Sequence, residues 1–331
     1  MNDRPPITAV LHRAAEDAGL APSILNTQPW RWRVRADALD LYADPARQLH
    51  AIDPFGRLLI VSCGAALHHA RVALAYAGYE GRVYRWPDPD QPWLLARIVD
   101  FRARPADRGS VLAYRNMRRR HTDRRPVGGR APVPAAVVAA LRAAAEAEGA
   151  RLHALVRDEI AYLRYAAQGA RRIEGASRGH VAELRRWTSR GPGAVDGIAP
   201  ETVVAPVPRP VPQRDFGMGA AAKLAPGPGD DRLAEYLALA TDRDEPGDWL
   251  SAGQAVSAVW LSATGHGLTV SPMSDVIEVP GARVLLRGLL HPPGQPHLVL
   301  RVGVAGDLAP PPASPRRPGA DIVEVEASAD G

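Results

Sequence analysis

The chain has 331 residues, 46% of them hydrophobic and 23% charged, which suffices for a sizeable core and is long for one simple domain. Its formal net charge of +5 suits an anionic ligand and is mild for a nucleic-acid binder. One cysteine, Cys63, excludes an internal disulfide framework and a cysteine-based zinc site, so a reducing, cytoplasmic location is expected.

Met1 to Pro6 lacks the apolar core of a signal peptide, and the most apolar stretch, Leu58 to Leu67, is too short to span a bilayer. Neither a membrane nor a nucleic acid is expected as a partner. In chain order, residues 7–19 read as a helix ending at Gly19 as its C′ residue. A polar, proline-bounded loop follows. Trp30, Trp32 and Val34 then alternate with arginines, and Leu39 and Leu41 with Asp40 and Tyr42, the pattern of a hairpin with one buried face. Residues 62–77 read as a central apolar helix. Val83 to Val99 would supply more strand, interrupted by Pro87, Pro89 and Pro92.

After the basic run Arg118 to Arg125, a helix is expected over 134–148, stopping near Gly149, then a strand over 152–156 and helices from 158 to 189. Prolines between 200 and 228 exclude long helices, so 191–229 reads as an irregular segment. A helix over 248–265 and a strand over 298–304 precede a proline-rich tail. Shifting by 189 residues aligns Ser62-Cys63-Gly64-Ala65-Ala66 with Ser251-Ala252-Gly253-Gln254-Ala255, and Gly78 with Gly267; a shift of 130 aligns Leu11…Gly19 with Leu141…Gly149. Two degenerate repeats are therefore expected, over 1–110 and 111–331.

Two segments can carry chemistry. Ala21-Pro22-Ser23-Ile24-Leu25-Asn26-Thr27-Gln28-Pro29-Trp30 packs many donors and acceptors into a stiff loop, as a planar heteroatom-rich ligand needs; the same residues also suit an ordinary turn. Arg120-His121-Thr122-Asp123-Arg124 offers two guanidiniums and a hydroxyl to a phosphate; it also reads as a solvated basic turn. Phe216 to Ala222 holds a Gly-x-Gly-x-x-Ala match, but no strand precedes it, so it reads as a decoy. His68 and His69 are adjacent and point to different helix faces, so no metal is expected. Cys63 reads as a small buried hydrophobe, and Ser62 lacks the context of a nucleophile. No carboxylate pair stands out as acid and base, so no protein residue is named as catalytic and a cofactor is expected to carry the chemistry.

The 21–30 loop resembles the Ala-Pro-Ser-x-x-Asn-x-Gln-Pro-Trp loop of flavin nitroreductases, and Arg120 to Arg124 resembles their Arg-rich FMN motif, with Thr122 where Ser is usual. The order of the two motifs, reversed relative to ordinary nitroreductases, resembles the Acg-type branch, a duplicated chain folded as a pseudo-dimer. Arg57…Ser62 to Leu67, Asp248 to Ala255, and Arg301-Val302-Gly303…Pro315 to Pro318 extend the resemblance over about residues 8–325. It implies an α/β (α+β) fold, a largely antiparallel sheet flanked by helices, with FMN between the halves.

By position, Arg120, His121, Thr122 and Arg124 would hold phosphate, ribityl chain or pyrimidine edge. Pro22, Ser23, Asn26 and Gln28 would approach the isoalloxazine, and Arg316 and Arg317 would close on the phosphate. The implied activity is electron transfer from NAD(P)H through FMN to a small-molecule acceptor such as a nitro compound or quinone. The alternative is an FMN-sequestering protein, with 191–229 as a lid carrying Arg209, Arg214 and Asp215.

Overall fold

The computed structural model describes residues 5–191, 193–216, 222–304 and 306–326. Helix α1 (Ile7–Ala18) buries Val10, Leu11, Ala14, Ala15 and Ala18 on one face, as its periodicity predicts. Its end departs from the common C′ geometry. Gly19 has φ −58° rather than a left-handed value, and a Cβ there would lie 2.9 Å from Ile322 Cδ1. Close packing against Ile322 of the C-terminal tail, not backbone handedness, favours a small residue here. Gly149, at φ 78°, is the left-handed one.

Strands β1 (Trp30–Val34) and β2 (Leu39–Ala43) form the predicted antiparallel hairpin, with Trp30, Trp32 and Val34 buried. Helix α2 (Arg57–Tyr76) starts earlier than residue 62, because Gly56 at φ 69° turns the chain and Asp53 Oδ2 accepts the Leu59 N–H at 2.9 Å. It is long and apolar enough to cross a membrane, yet most of it is buried inside the protein. Strands β3 (Tyr79–Arg85) and β4 (Leu94–Ala103) leave the three prolines in the connection between them. Helix α3 (Arg108–Arg119) has no counterpart among the expected elements; only Asn116 and Met117 of it are fully buried.

Helix α4 (Ala135–Glu146) and strand β5 (Arg151–Ala154) follow, then α5 (Arg157–Ala176) and α6 (Arg178–Thr188). Strand β6 (Glu235–Thr241) is buried on both faces, so its apolar run lacks the alternation that betrays a strand. After α7 (Pro246–Gly265) comes β7 (Leu268–Met273), an edge strand that tolerates Pro272. Helices α8 (Asp275–Glu278) and α9 (Pro280–Gly288) and strand β8 (Gln295–Val304) complete this half. The tail ends in α10 (Gly319–Ile322) and β9 (Val323–Val325).

The first sheet has the order β3-β4-β2-β1, and β9 adds in parallel beyond β1. The second has the order β5-β6-β8-β7. Read from its other edge, the second sheet repeats the first, β7-β8-β6-β5 for β3-β4-β2-β1. Among the described residues, every other pairing between these strands is antiparallel. Helices α2 and α7 pack against each other at the centre; at their crossing Gly64 meets Gly253, 189 residues on, and the bond between His68 Nδ1 and Ser257 Oγ at 2.8 Å has the same separation.

Candidate functional site

The 21–30 loop is held in an unusual shape. Leu25, Asn26 and Gln28 have φ of 43°, 56° and 49°, left-handed values that cost non-glycine residues of order 1–3 kcal/mol each. Distant groups hold them there. Ser62 Oγ accepts the Ile24 N–H at 3.1 Å, and Ser23 Oγ accepts the Gln28 N–H at 2.9 Å. Asn26 Nδ2 donates to Gly197 O at 3.1 Å and Pro315 O at 3.0 Å. Gln28 is fully buried: its Nε2 donates to Val195 O at 2.8 Å and its Oε1 accepts the Arg317 N–H at 2.8 Å. The loop is thus a junction between the first half, the 191–229 segment and the tail.

Above it opens a pocket with about 100 Å³ of free space. Pro22, Ser23 and Asn26 lie on one wall, Arg120, Thr122 and Arg124 on another, and Arg316 beside them. Val61, Ala65, Val256 and Leu298 supply apolar floor from α2, α7 and β8. Arg120 is buried, its guanidinium 4.7 Å from the Trp260 ring centroid, and one of its Nη atoms donates to Leu20 O at 3.3 Å. Arg316 donates to Asn26 Oδ1 at 3.0 Å and to Leu20 O at 3.2 Å. Arg124 lies 4.7 Å from the Phe216 ring centroid and donates to Thr202 Oγ1 at 3.2 Å.

Among the described residues, none of these three guanidiniums has a carboxylate partner within salt-bridge distance. The Nε of Arg120 and the Nε of Arg316 are buried with no hydrogen-bond acceptor. Burial and the charge of Arg316 push Arg120 down to about 9, and burial pushes Arg124 and Arg316 each to about 10. Clustered, desolvated cations of this kind form a site for an anion.

Seven of the ten sequence-predicted residues therefore converge on one pocket; Gln28, His121 and Arg317 stand outside its lining. Gln28 and Arg317 brace the loop: Arg317 donates to Gln28 O at 3.1 Å and to Asp321 O at 2.7 Å. His121 is half-buried, held below the usual imidazole range by burial and Arg120. Asp123 pairs with Arg125 at 2.7 Å, so it serves the turn. Thr122 bridges to Val270 of β7, which fixes the basic stretch along the sheet edge. His68 and His69, expected to diverge, both reach Ser257 Oγ at 2.8 Å. Burial pushes the Cys63 thiol up, consistent with a small hydrophobe. The Gly-x-Gly match at 217–221 lies outside the described residues. Trp260, Ile198 and Ser314 escaped the sequence reading, because no local pattern ties them to the motifs, and Ser62 and Phe216, considered there for other roles, also line the pocket.

The chain is 34% identical over 333 residues to the Mycobacterium tuberculosis protein acg, named as a candidate NAD(P)H nitroreductase, covering 99% of both. The chain belongs to the Acg-type branch of the nitroreductase family. A second M. tuberculosis member named in the same way, Rv3131, is 38% identical over 310 residues, 92% of this chain and 88% of that protein. No family model matches. Among solved structures, an FMN- and NADPH-dependent nitroreductase, NfnB of a Sphingopyxis strain, aligns over 65% of this chain and 99% of its own at 14% identity, with a TM-score of 0.40. In this Acg-type chain, residues of the 21–30 loop and of the Arg120–Arg124 run meet at one pocket although about a hundred residues separate them.

Proposed function

We propose that this chain is a nitroreductase-like oxidoreductase that binds one FMN in the pocket between α2 and α7. The observation that carries the proposal is the convergence of Arg120, Arg124 and Arg316 without a carboxylate among the described residues. The residues fit the group. Arg120 Nε and Arg316 Nε are buried donors lacking an acceptor, and a phosphate supplies several acceptor oxygens. Arg120 and Arg316 would hold the phosphate, Thr122 would add its hydroxyl, and Arg124 would face the pyrimidine edge. Pro22, Ser23 and Asn26 would position the ring system. When bound, FMN supplies two-electron transfer from NAD(P)H to a small acceptor, a nitro compound or a quinone. The chain's own work is to bind, orient and exclude water, for which the strained loop and the apolar floor are suited. The shared strand order of the two sheets and the 189-residue offset support a reading as two fused repeats, 1–110 and 111–331.

A second reading, FMN sequestration, is favoured by one observation: Ile198 and Phe216 of the 191–229 segment form part of the pocket wall. A segment placed there narrows the approach for nicotinamide and acceptor. Purified protein should be yellow and release FMN on denaturation; a colourless protein that cannot be reconstituted refutes both readings. Anaerobic mixing with NADH or NADPH separates them. Prompt bleaching supports the oxidoreductase, and an unbleached holoprotein supports sequestration.

A further inference from the structure

The stretch 203–216 runs from the small apolar cluster around Trp187 to Phe216 at the pocket wall, with irregular backbone from Ala205 to Asp215. Polar bonds tie it down on two sides. On one side Arg209 donates to Arg124 O at 2.8 Å and faces Asp231 at 3.5 Å. On the other, Arg214 enters a cluster of buried acids. One Nη lies 2.6 Å from Glu174 Oε1 of α5 and 2.5 Å from Glu278 Oε2 of α8, and the second lies 3.1 Å from Glu278 Oε1. Asp275 and His180 complete the surroundings, both buried, with Asp275 Oδ2 and His180 Nε2 lacking hydrogen-bond partners. Arg214 is thus the cation that makes this acid cluster tolerable, and the cluster in turn fixes a side chain only two residues from Phe216, whose ring lies against Arg124. Unlike the pocket arginines, Arg214 is held above the usual guanidinium range by its carboxylates, despite burial.

We propose that Arg214 is a positioning residue: its ion pairs with Glu174 and Glu278 latch the 203–216 strap so that Phe216 holds Arg124 in place and roofs the pocket. The gating half of this inference rests on the FMN reading above; the latch itself does not. Within 203–216, Val203 and Val211 join the apolar clusters fully buried, Phe216 packs against the cluster around Trp187, and Ser271 Oγ donates to Gln213 Oε1 at 3.5 Å, while Arg214 supplies the buried, multiply bonded ion pairs between Val211 and Phe216. A bidentate guanidinium bound to a buried carboxylate is costly to break, because both charges would be left unpaired.

The test compares wild type, Arg214→Ala, Arg214→Lys and Glu278→Gln in full-length protein. In flavin-free protein, backbone hydrogen exchange over 207–216 should rise at least 10-fold in Arg214→Ala, while α2 and α7 keep wild-type protection. Arg214→Lys should recover part of the protection. Unchanged exchange in the strap overturns the latch, and so does a uniform rise across the whole protein. In holoprotein, FMN should dissociate at least 10-fold faster from Arg214→Ala and Glu278→Gln than from wild type. A loosened strap with unchanged FMN release overturns the gating role. A wild type that binds no FMN refutes both the flavin reading and the gating, and leaves the exchange result to decide the latch alone.

Discussion

Gly64 of α2 and Gly253 of α7 face each other at the helix crossing, so close that a Cβ on Gly64 would lie 2.9 Å from Gly253 Cα, and one on Gly253 2.8 Å from Gly64 Cα. Each would also press into a backbone carbonyl of the opposite helix, that of Leu250 or Val61. The obstacles are backbone atoms, which cannot rotate away. Gly64→Ala is therefore expected to destabilise the fold by about 3 kcal/mol, the upper end of ordinary overpacking. Gly169→Ala, within α5 with nothing inside 4 Å of the new Cβ, should stabilise by about 0.5–1 kcal/mol. Urea midpoints measure both, and a neutral Gly64→Ala would contradict the close crossing.

Arg120→Ala removes a buried cation from the proposed phosphate site. Losing a hydrogen bond to a charged group costs about 1.5–3 kcal/mol, so FMN should bind roughly 10- to 150-fold more weakly. Flavin fluorescence titration reads this directly. Arg317→Ala, whose side chain braces the loop instead of lining the pocket, should have the smaller effect on affinity. Equal affinity of Arg120→Ala and wild type refutes the phosphate assignment.

Gln28→Ala leaves the Arg317 N–H and the Val195 carbonyl without their side-chain partner in a buried place. One unsatisfied buried group costs about 1–3 kcal/mol. The strained φ values of Leu25 and Asn26 should then relax, so FMN affinity falls together with stability. A variant that keeps full FMN affinity would show that the loop's shape does not depend on this clamp.

Asp53 gives a pH dependence of definite sign. Burial raises its carboxyl from 3.8 to about 6. Between those values the folded state holds a proton that the unfolded state has released, so this group's contribution is full below about pH 4 and is lost as pH rises through about 6. The shift corresponds to at most about 3 kcal/mol. Asp53→Asn keeps a side-chain acceptor for the Leu59 N–H without the charge, so its stability relative to wild type should increase from pH 4 to pH 7. A difference that stays constant over this range would contradict the raised value.

The periodic signals were sound where burial is one-sided. Trp30, Trp32 and Val34 alternate because one sheet face meets α1 and α2, and the strand was readable for that reason. β6 was not, because both its faces are buried. α3 is not readable in the same way, because only Asn116 and Met117 of it are fully buried. Glu174 and Glu278, which form the acid cluster around Arg214, gave no local signal, since they lie on different helices.

By itself the sequence determined the ingredients of the site: a proline-stiffened Ser-Asn-Gln loop and an Arg-His-Thr-Asp-Arg run, in an order that matches the Acg-type branch. Tertiary structure alone decided which of them meet. Arg316 reaches Arg120 and Asn26 only because the tail crosses back to pair β9 with β1, and Gln28 proves to be a clamp because Val195 and Arg317 arrive beside it. Residue type and local spacing fix what a side chain can do, whereas contacts between segments a hundred or more residues apart depend on how the packed helices and sheets close the long loops between them.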